Sequence, residues 1–267
     1  MRKKAFKWIR WILLIYALLG IVVYYLQDYF FFQALPVKSS HRYNFSIPYR
    51  EVNIPYSNNE NLNIVQFETN KPIKGVVLYF HGNRKNIGWY AGFAPMFTAQ
   101  GYEVWMPDYP GYGKSTGKIT EEKLYNYALQ LYKLAAKRYS ADSIIIFGKS
   151  MGSGLATYLA SNVASKRVIL ETPYYSLSSV AQHFFPIYPM ENMTRVRIPS
   201  WEYLQQVSEP VSIFQGTADM IVPYSNAVKL KPFLKPGDEF VTIQKGSHND
   251  LRNFPDFTRK IDSLLKL

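Results

Sequence analysis

The chain has 267 residues, of which 48% are hydrophobic, and its 31 Lys and Arg residues against 19 Asp and Glu residues give a net charge of +12. This length and apolar fraction predict a folded chain with a sizeable core, and the absence of cysteine excludes disulfide frameworks, cysteine-ligated metal sites and a cysteine nucleophile. The basic balance makes nucleic acid, anionic lipid and acidic substrates candidate partners, depending on where the charge lies.

A basic tail opens the chain, with five Lys and Arg residues and no acid among residues 1–10. An uncharged apolar run of 16 residues follows, from Trp11 to Leu26. As a helix this run would be about 24 Å long, against about 30 Å for the hydrocarbon core of a bilayer. It lengthens when Arg10 snorkels to the headgroups and the aromatic residues within 24–32 form a belt on the far side.

Three interpretations of this segment compete: an uncleaved signal anchor, a cleaved signal peptide and an amphipathic helix on a membrane surface. A cleaved signal needs small residues at its cleavage site, but the side chains after the run are bulky and only Ala34 is small. A surface helix needs a polar face, which the run lacks. The pattern favours a transmembrane anchor over residues 11–32, with the basic tail in the cytoplasm and the rest of the chain outside it.

Beyond the anchor, polar residues 33–44 are predicted to be a linker, and residues 45–267 alternate between strand-like and helix-like segments. Segments 50–54 and 62–68 are predicted to form an antiparallel pair. Six further runs rich in Val and Ile are typical of strands buried on both faces of a parallel sheet. These runs are 75–80, 103–106, 143–147, 168–170, 211–214 and 240–243.

Helical patterns separate these strands. The clearest follows Thr120, a good N-cap residue, and has Glu121 and Glu122 in its first turn. Further helices are predicted near 88–99, 151–163, 224–234 and 250–266. The alternation predicts a doubly wound α/β sheet with helices on both faces, whose active site lies in loops at the carboxyl ends of the strands.

The segment Gly148-Lys149-Ser150-Met151-Gly152 stands between a predicted buried strand and a predicted helix. This Gly-x-Ser-x-Gly spacing is typical of a nucleophile elbow, a sharp turn that presents the serine and leaves no room for side chains two residues away on either side. Ser150 is therefore the candidate nucleophile. The alternative interpretation is an ordinary strand-to-helix turn with a structural serine.

A serine hydroxyl becomes a good nucleophile when an imidazole takes its proton and a carboxylate holds that imidazole. In hydrolases with such an elbow, the acid and then the histidine follow the serine along the chain. Of the four histidines, His248 alone satisfies this order, in a loop after the last predicted strand. Asp219, in the loop after strand 211–214, is the candidate acid, and Glu171 at the end of the preceding strand is the alternative.

The oxyanion that develops at a substrate carbonyl needs two preorganised N–H donors, each worth about 3 kcal/mol in comparable sites. Met151, directly after the candidate nucleophile, is predicted to supply one. The other is expected from the loop that starts at His81, with the Asn83 N–H as the candidate. His81 itself is interpreted as a brace of this loop.

These motifs resemble those of the α/β-hydrolase superfamily over residues 45–267. The likeness rests on the segments 79–83, 108–115, 148–152, 216–223 and 246–248. With an N-terminal anchor and a His-Gly-Asn loop, the chain is similar to membrane-anchored serine hydrolases that include depalmitoylating thioesterases. Gln215 departs from the family, which usually has histidine at this position. The basic Lys149 beside the candidate nucleophile has no explanation from the sequence.

The resemblance implies an α/β-hydrolase fold, with a mostly parallel eight-stranded sheet, helices on both faces and a short cap near 173–207. Four aromatic residues of this cap are candidates for an acyl-chain pocket, or alternatively attach the cap to the core. They are Tyr174, Tyr175, Phe184 and Phe185.

The implied activity is that of a serine hydrolase that cleaves a carboxylic ester or thioester through an acyl-enzyme. A small-molecule or lipid-like acyl ester is the expected substrate, and no cofactor or metal is expected. A peptidase or amidase on the same fold is the alternative. A non-catalytic membrane-anchored binding protein is another, although a binding role would not require Ser150, Asp219 and His248 together.

Nucleotide and nucleic-acid binding are weaker hypotheses. Two Gly-Lys-Ser triplets, at 113–115 and 148–150, lack the upstream glycine that a phosphate-binding loop requires. Beyond residue 10, 26 basic residues against 19 acidic ones leave +7, and these charges are spread along the sequence. The basic balance therefore indicates membrane orientation, and nucleic acid is not expected as a partner.

Overall fold

Eight strands form one mostly parallel sheet in the computed structural model, which describes residues 2–57 and 59–266. In chain order the strands are β1 (Tyr49–Ser57), β2 (Glu60–Phe67), β3 (Gly75–Phe80), β4 (Tyr102–Pro107), β5 (Ile144–Lys149), β6 (Arg167–Glu171), β7 (Val211–Gly216) and β8 (Glu239–Ile243). Their order across the sheet is β1-β2-β4-β3-β5-β6-β7-β8, with antiparallel pairing between β1 and β2 and between β2 and β4. The predicted eight-stranded sheet is confirmed.

Ten α-helices accompany the sheet within the described residues. They are α1 (Arg2–Phe31), α2 (Ile87–Tyr90), α3 (Pro95–Thr98), α4 (Glu121–Ala135), α5 (Met151–Ala160), α6 (Leu177–Phe184), α7 (Met190–Met193), α8 (Ser200–Leu204), α9 (Tyr224–Ala227) and α10 (Pro255–Lys266). Short 3-10 helices lie at Ala91–Phe93, Ala141–Ser143, Val228–Phe233 and Leu251–Asn253.

The helix after Thr120 forms as predicted. The Thr120 hydroxyl oxygen accepts a hydrogen bond from the Lys123 N–H at 3.2 Å and so caps α4. The helix predicted near 224–234 is different, because α9 ends at Ala227 and the chain continues as a 3-10 helix that contains Pro232. A proline lacks the N–H that an α-helix would need at that position.

Helices cover both faces of the sheet because alternate residues of each strand point in opposite directions. On β3, Val76, Leu78 and Phe80 belong to the core cluster that contains apolar side chains of α4 and α5. The residues between them, Val77 and Tyr79, belong to a second cluster that contains side chains of α3 and α10. This double burial explains why the central strands read as continuous apolar runs.

α1 includes the basic tail as well as the apolar run. An 18-residue window of this helix has a mean hydropathy of 2.1, so the helix is long and apolar enough to cross a membrane by length and composition. The predicted linker after it does not stand free of the domain. Gln33–Ala34 pairs in parallel with Arg84–Lys85, and the Val37 N–H donates to the Gly113 carbonyl at 2.8 Å. The loops of the domain thus satisfy the backbone groups of this segment.

Candidate active site

Ser150 lies on a sharp turn between β5 and α5, with φ of 52° and ψ of −122°. This conformation is rare for a residue with a side chain. The flanking glycines make the turn fit the fold, because a Cβ on Gly152 would lie 2.1 Å from the Phe80 carbonyl oxygen and one on Gly148 would lie 2.5 Å from the Gly152 carbonyl oxygen. The predicted Gly-x-Ser-x-Gly segment therefore forms a strand–turn–helix with close backbone contacts on both sides.

The structure brings Ser150, His248 and Asp219 into one chain of hydrogen bonds. The His248 Nε2 atom lies 2.8 Å from the Ser150 Oγ atom, and the His248 Nδ1 atom lies 2.8 Å from the Asp219 Oδ2 atom. All three residues are buried. An imidazole held in this way can accept a proton from the hydroxyl on one side while the carboxylate holds its orientation on the other.

The Asp219 carboxylate is fixed from several directions. Its Oδ1 atom accepts hydrogen bonds from the N–H groups of Ile221 and Val222, each at 2.9 Å. The Gln215 side-chain amide donates to its Oδ2 atom at 3.2 Å and to the Val222 carbonyl at 2.9 Å. Gln215 thus contacts the candidate acid directly and braces it against the loop after β7.

Lys149 and Glu171 form a buried ion pair at the carboxyl ends of neighbouring strands, where they are partners in the β5–β6 register. The Lys149 Nζ atom also donates to the His248 backbone carbonyl at 3.1 Å. Glu171, the alternative acid, is therefore engaged with Lys149, and Asp219 is the carboxylate that contacts His248. Sequence reasoning left Lys149 unexplained, although opposite charges that end two consecutive buried strands were a readable signal.

The loop that carries Asn83 is braced by two buried tyrosines. The Tyr109 hydroxyl donates to the His81 carbonyl and the Tyr112 hydroxyl donates to the Asn83 carbonyl, both at 2.7 Å. The His81 Nδ1 atom lies 2.7 Å from the Gly82 carbonyl oxygen, so this ring is engaged with its own loop. His81 does not take part in the hydrogen-bonded chain at Ser150.

The two candidate oxyanion donors are unoccupied by backbone partners. The Asn83 N–H makes no hydrogen bond with any residue that the structure describes. Met151 is the first residue of α5, and N–H groups in the first turn of a helix have no intrahelical acceptor. Both groups are thus available to a ligand, and the positive end of the α5 dipole favours negative charge beside Ser150.

Burial keeps the phenols around this loop neutral. Removal from water raises the pKa of Tyr90, whose ring stacks on His81 with centroids 4.8 Å apart, to about 12. The same cause raises the pKa values of Tyr109 and Tyr112 well above their usual range. These phenols therefore remain uncharged, and their hydroxyl groups remain hydrogen-bond donors, well into the alkaline range.

The four aromatic pocket candidates lie in different surroundings. Tyr174 is buried and its hydroxyl donates to the Met151 carbonyl at 3.0 Å, next to the elbow. Tyr175 stacks on Trp201 with centroids 5.6 Å apart. Phe184 is half exposed, and Phe185 packs edge-on against Phe30 of α1 at 5.5 Å. The four rings therefore differ in their packing partners and in their exposure to solvent.

Comparisons with known proteins point to one superfamily. Residues 71–201 match the family model described as serine aminopeptidase, S33. Alpha/beta hydrolase domain-containing protein 17C of Xenopus tropicalis is 27% identical over 194 residues, which cover 71% of this chain and 61% of that protein. The 17B protein of Homo sapiens is 26% identical over 196 residues, 70% of this chain and 65% of its own length. The chain thus spans a little under two thirds of the length of these curated relatives.

A similar solved structure is an esterase of Pyrococcus furiosus, with a TM-score of 0.68 and 18% sequence identity. The match covers 88% of this chain and 97% of the esterase. At this identity the likeness concerns the fold. Sheet order, helices on both faces and the matched family model agree, and the chain has an α/β-hydrolase fold.

Proposed function

We propose that the protein is a serine hydrolase that cleaves a carboxylic ester or thioester. The observation that carries this proposal is the unbroken chain of hydrogen bonds from Asp219 through His248 to Ser150, on a strained turn at the carboxyl end of β5. This arrangement activates a serine hydroxyl that is a poor nucleophile by itself. The likeness to an esterase fold agrees with an ester as substrate.

In the proposed reaction, the Ser150 oxygen attacks the substrate carbonyl carbon while His248 accepts the hydroxyl proton through Nε2. Asp219 holds the Nδ1–H and stabilises the imidazolium, and the N–H groups of Asn83 and Met151 donate to the oxyanion. His248 then gives its proton to the departing alcohol or thiol. Water, deprotonated in turn by His248, releases the acyl group and regenerates the Ser150 hydroxyl.

Hydrolysis of an amide or peptide is the second candidate, because the matched family model is described as a serine aminopeptidase. The same side chains would act, with His248 protonating a departing amine. Rates on a matched ester, thioester and amide of one acyl group decide between the two. A preference for the amide would replace the ester proposal.

A fluorophosphonate probe, which reacts with activated serines, tests the nucleophile. We expect the purified full-length chain to be labelled, and the Ser150→Ala variant to lose the label. Ser161→Ala, at the far end of α5, is the matched control and should keep it. Undiminished labelling of Ser150→Ala would contradict the assignment, and an unlabelled wild type would favour a non-catalytic binding protein.

We also propose that residues 11–32 anchor the protein in a membrane, with residues 45–267 as the catalytic domain and a cap near 173–207. The basic residues before the apolar run support an N-terminus in the cytoplasm and a domain outside it. Protease added to intact cells should digest the domain. Full protection, followed by digestion after the membrane is opened, would overturn this orientation.

A further inference from the structure

The connection from α6 to α7, taken from the last residue of α6 to the first of α7 (residues 184–190), has an unusual composition for a surface segment. Its seven residues carry no charge and read Phe-Phe-Pro-Ile-Tyr-Pro-Met. Phe184 is 50% exposed and Ile187 is 66% exposed. Exposed apolar side chains of this size that lie close together in the chain are typical of a contact surface. We call residues 184–190 the cap tip.

The cap tip lies along α1, the candidate anchor. The ring of Tyr188 stacks on that of Tyr16 with centroids 4.7 Å apart, and a Cβ on Gly20 would lie 3.0 Å from the Tyr188 ring. Phe185 contacts Phe30 near the other end of the helix. The cap tip therefore follows α1 over several turns toward its N-terminal half.

The contacts between cap and helix that involve charged or amide side chains of α1 lie at one level. The Gln27 side chain donates to the Met193 carbonyl at 3.1 Å and accepts from the Arg195 N–H at 2.7 Å, and the Arg195 guanidinium lies 2.8 Å from the Asp28 carboxylate. These groups suit the membrane–water interface. Twelve residues separate Asp28 from Tyr16, about 18 Å along the helix, and one leaflet of a bilayer core is about 15 Å deep.

Most backbone polar groups of the cap tip have hydrogen-bond partners within the protein, as a water-free environment favours. Nearly all polar groups in hydrocarbon must find partners within the protein. The Tyr16 hydroxyl donates to the Ile187 carbonyl, and the Tyr188 hydroxyl donates to the Tyr16 carbonyl, both at 2.9 Å. The Gln182 amide donates to the Pro186 carbonyl at 3.0 Å and accepts from the Met190 N–H at 3.1 Å.

Two prolines reduce the number of donors further, since neither Pro186 nor Pro189 has an N–H. The Pro189 carbonyl accepts from the Asn192 N–H at 3.0 Å. An exposed loop in water would gain little from so many internal hydrogen bonds, because water would satisfy the same groups.

The C-terminal end of α1 lies close to the loop that carries Asn83. Two residues after the helix ends, the Gln33 N–H donates to the Asn83 carbonyl at 2.9 Å. Phe31 packs against both the main core and the cluster that contains Tyr188. The candidate oxyanion loop is thus held next to the point where α1 would leave the bilayer.

We propose that the cap tip inserts into the leaflet next to the catalytic domain, so that the enzyme draws its substrate, an acyl ester or thioester dissolved in or anchored to the membrane, from that leaflet. The choice of substrate rests on the proposed hydrolase function, whereas the insertion rests on the proposed membrane anchor alone. The occupant of the exposed apolar surface is the lipid acyl layer that the proposed anchor α1 would cross.

Because the chain has no cysteine, a single thiol can report depth. The full-length Ile187→Cys variant is labelled with an environment-sensitive fluorophore and reconstituted in phosphatidylcholine vesicles. Asn162→Cys, on an exposed turn after α5, is the control. We expect nitroxide groups on the lipid acyl chains to quench the probe at position 187 several-fold more than at 162, and iodide in the water to do the reverse. Equal iodide quenching at both positions would overturn the insertion.

A second measurement tests the source of the substrate. For wild type and variants, the rate on a long-chain ester embedded in vesicles is divided by the rate on a short water-soluble ester. Ile187→Asp should lower this ratio at least tenfold, whereas Ile73→Asp, at an exposed isoleucine before β3, should not change it. An unchanged ratio in Ile187→Asp would overturn the membrane source. A wild type that cleaves neither ester would contradict the proposed function, and the depth measurement would still decide the insertion.

Discussion

The Lys149 ammonium and the Glu171 carboxylate form a buried ion pair beside the candidate nucleophile, and each side chain is 2% exposed. The backbone of Glu171 contributes as well, because its carbonyl accepts the Ser150 N–H at 2.8 Å. Lys149 in turn donates to the His248 carbonyl. The pair therefore connects the elbow, the end of β6 and the loop that carries the candidate base.

Removal of one partner from this pair should be costly. The Lys149→Met variant leaves a buried carboxylate without a cation, and the Glu171→Gln variant leaves a buried ammonium. We expect each to lower the free energy of unfolding by about 3 to 5 kcal/mol. The double variant should lose less than either single one, because no lone charge remains buried. Urea unfolding of the full-length protein in detergent measures all three.

The half-buried pair of Lys260 and Glu239, with 2.7 Å between Nζ and Oε1, is the more solvent-exposed control for these variants. The same substitutions there should cost at most about 1 kcal/mol. Additive losses for the buried pair, with the double variant the least stable, would show that Lys149 and Glu171 do not compensate each other.

The double variant of the buried pair, Lys149→Met with Glu171→Gln, should keep its fold but have a lower activity. Without Lys149 the His248 carbonyl lacks its charged donor, whose hydrogen bond is worth about 1.5 kcal/mol or more. We expect kcat on a soluble ester to fall roughly tenfold with little change in KM, because Lys149 positions the base and does not touch the substrate. A loss as complete as that of Ser150→Ala would instead give Lys149 a part in the chemistry.

The identity of the acid is tested by Asp219→Asn. The amide can hold His248 in place but favours the wrong tautomer, so kcat should fall by about four orders of magnitude. Asp238→Asn is the matched control, because that carboxylate caps the start of β7 by accepting the Val211 N–H at 2.9 Å and lies outside the site. If Asp219→Asn retained most of the activity, another carboxylate would have to orient His248.

The sequence predicts those parts of the fold and of the candidate site that depend on residues close together in the chain. The turn at Ser150 follows from glycine spacing between an apolar strand and a helix, and the order of Asp219 and His248 follows from the loops after β7 and β8. The Lys149–Glu171 contact depends on the register between two strands 18 residues apart, which periodicity alone does not determine.

The position of α1 could not be predicted either. Its contacts with Tyr188, and those of Gln33 with the loop at Asn83, join segments far apart in the chain. Composition predicted an anchor for α1 and a linker for the segment that contains Gln33. It carries no information on which surface of the domain these two segments contact. The aromatic residues of the cap read as one group in sequence, yet Tyr174 packs inward and Phe185 packs on α1.

Alkaline pH should destabilise the fold, in part through the buried tyrosines around the candidate oxyanion loop. Tyrosines ionise near pH 10 in an unfolded chain, whereas burial raises the pKa of Tyr90 to about 12 and those of Tyr109 and Tyr112 well above the usual value. Above pH 10 the folded state therefore binds more protons than the unfolded state, and stability that is fully present below pH 10 is lost as the pH rises toward the folded values.

Urea unfolding between pH 8 and pH 11.5 should show this decline in the free energy of unfolding. We expect the phenolate absorbance of these buried tyrosines to appear together with the loss of far-UV circular dichroism, because their ionisation requires exposure to water. Tyr112→Phe removes one ionisable group along with its hydrogen bond to the Asn83 carbonyl, so it should lower activity at neutral pH yet lessen the alkaline decline. Full phenolate formation in a folded, active protein would mean that water reaches these side chains, and the rigid brace around Asn83 would have to be abandoned.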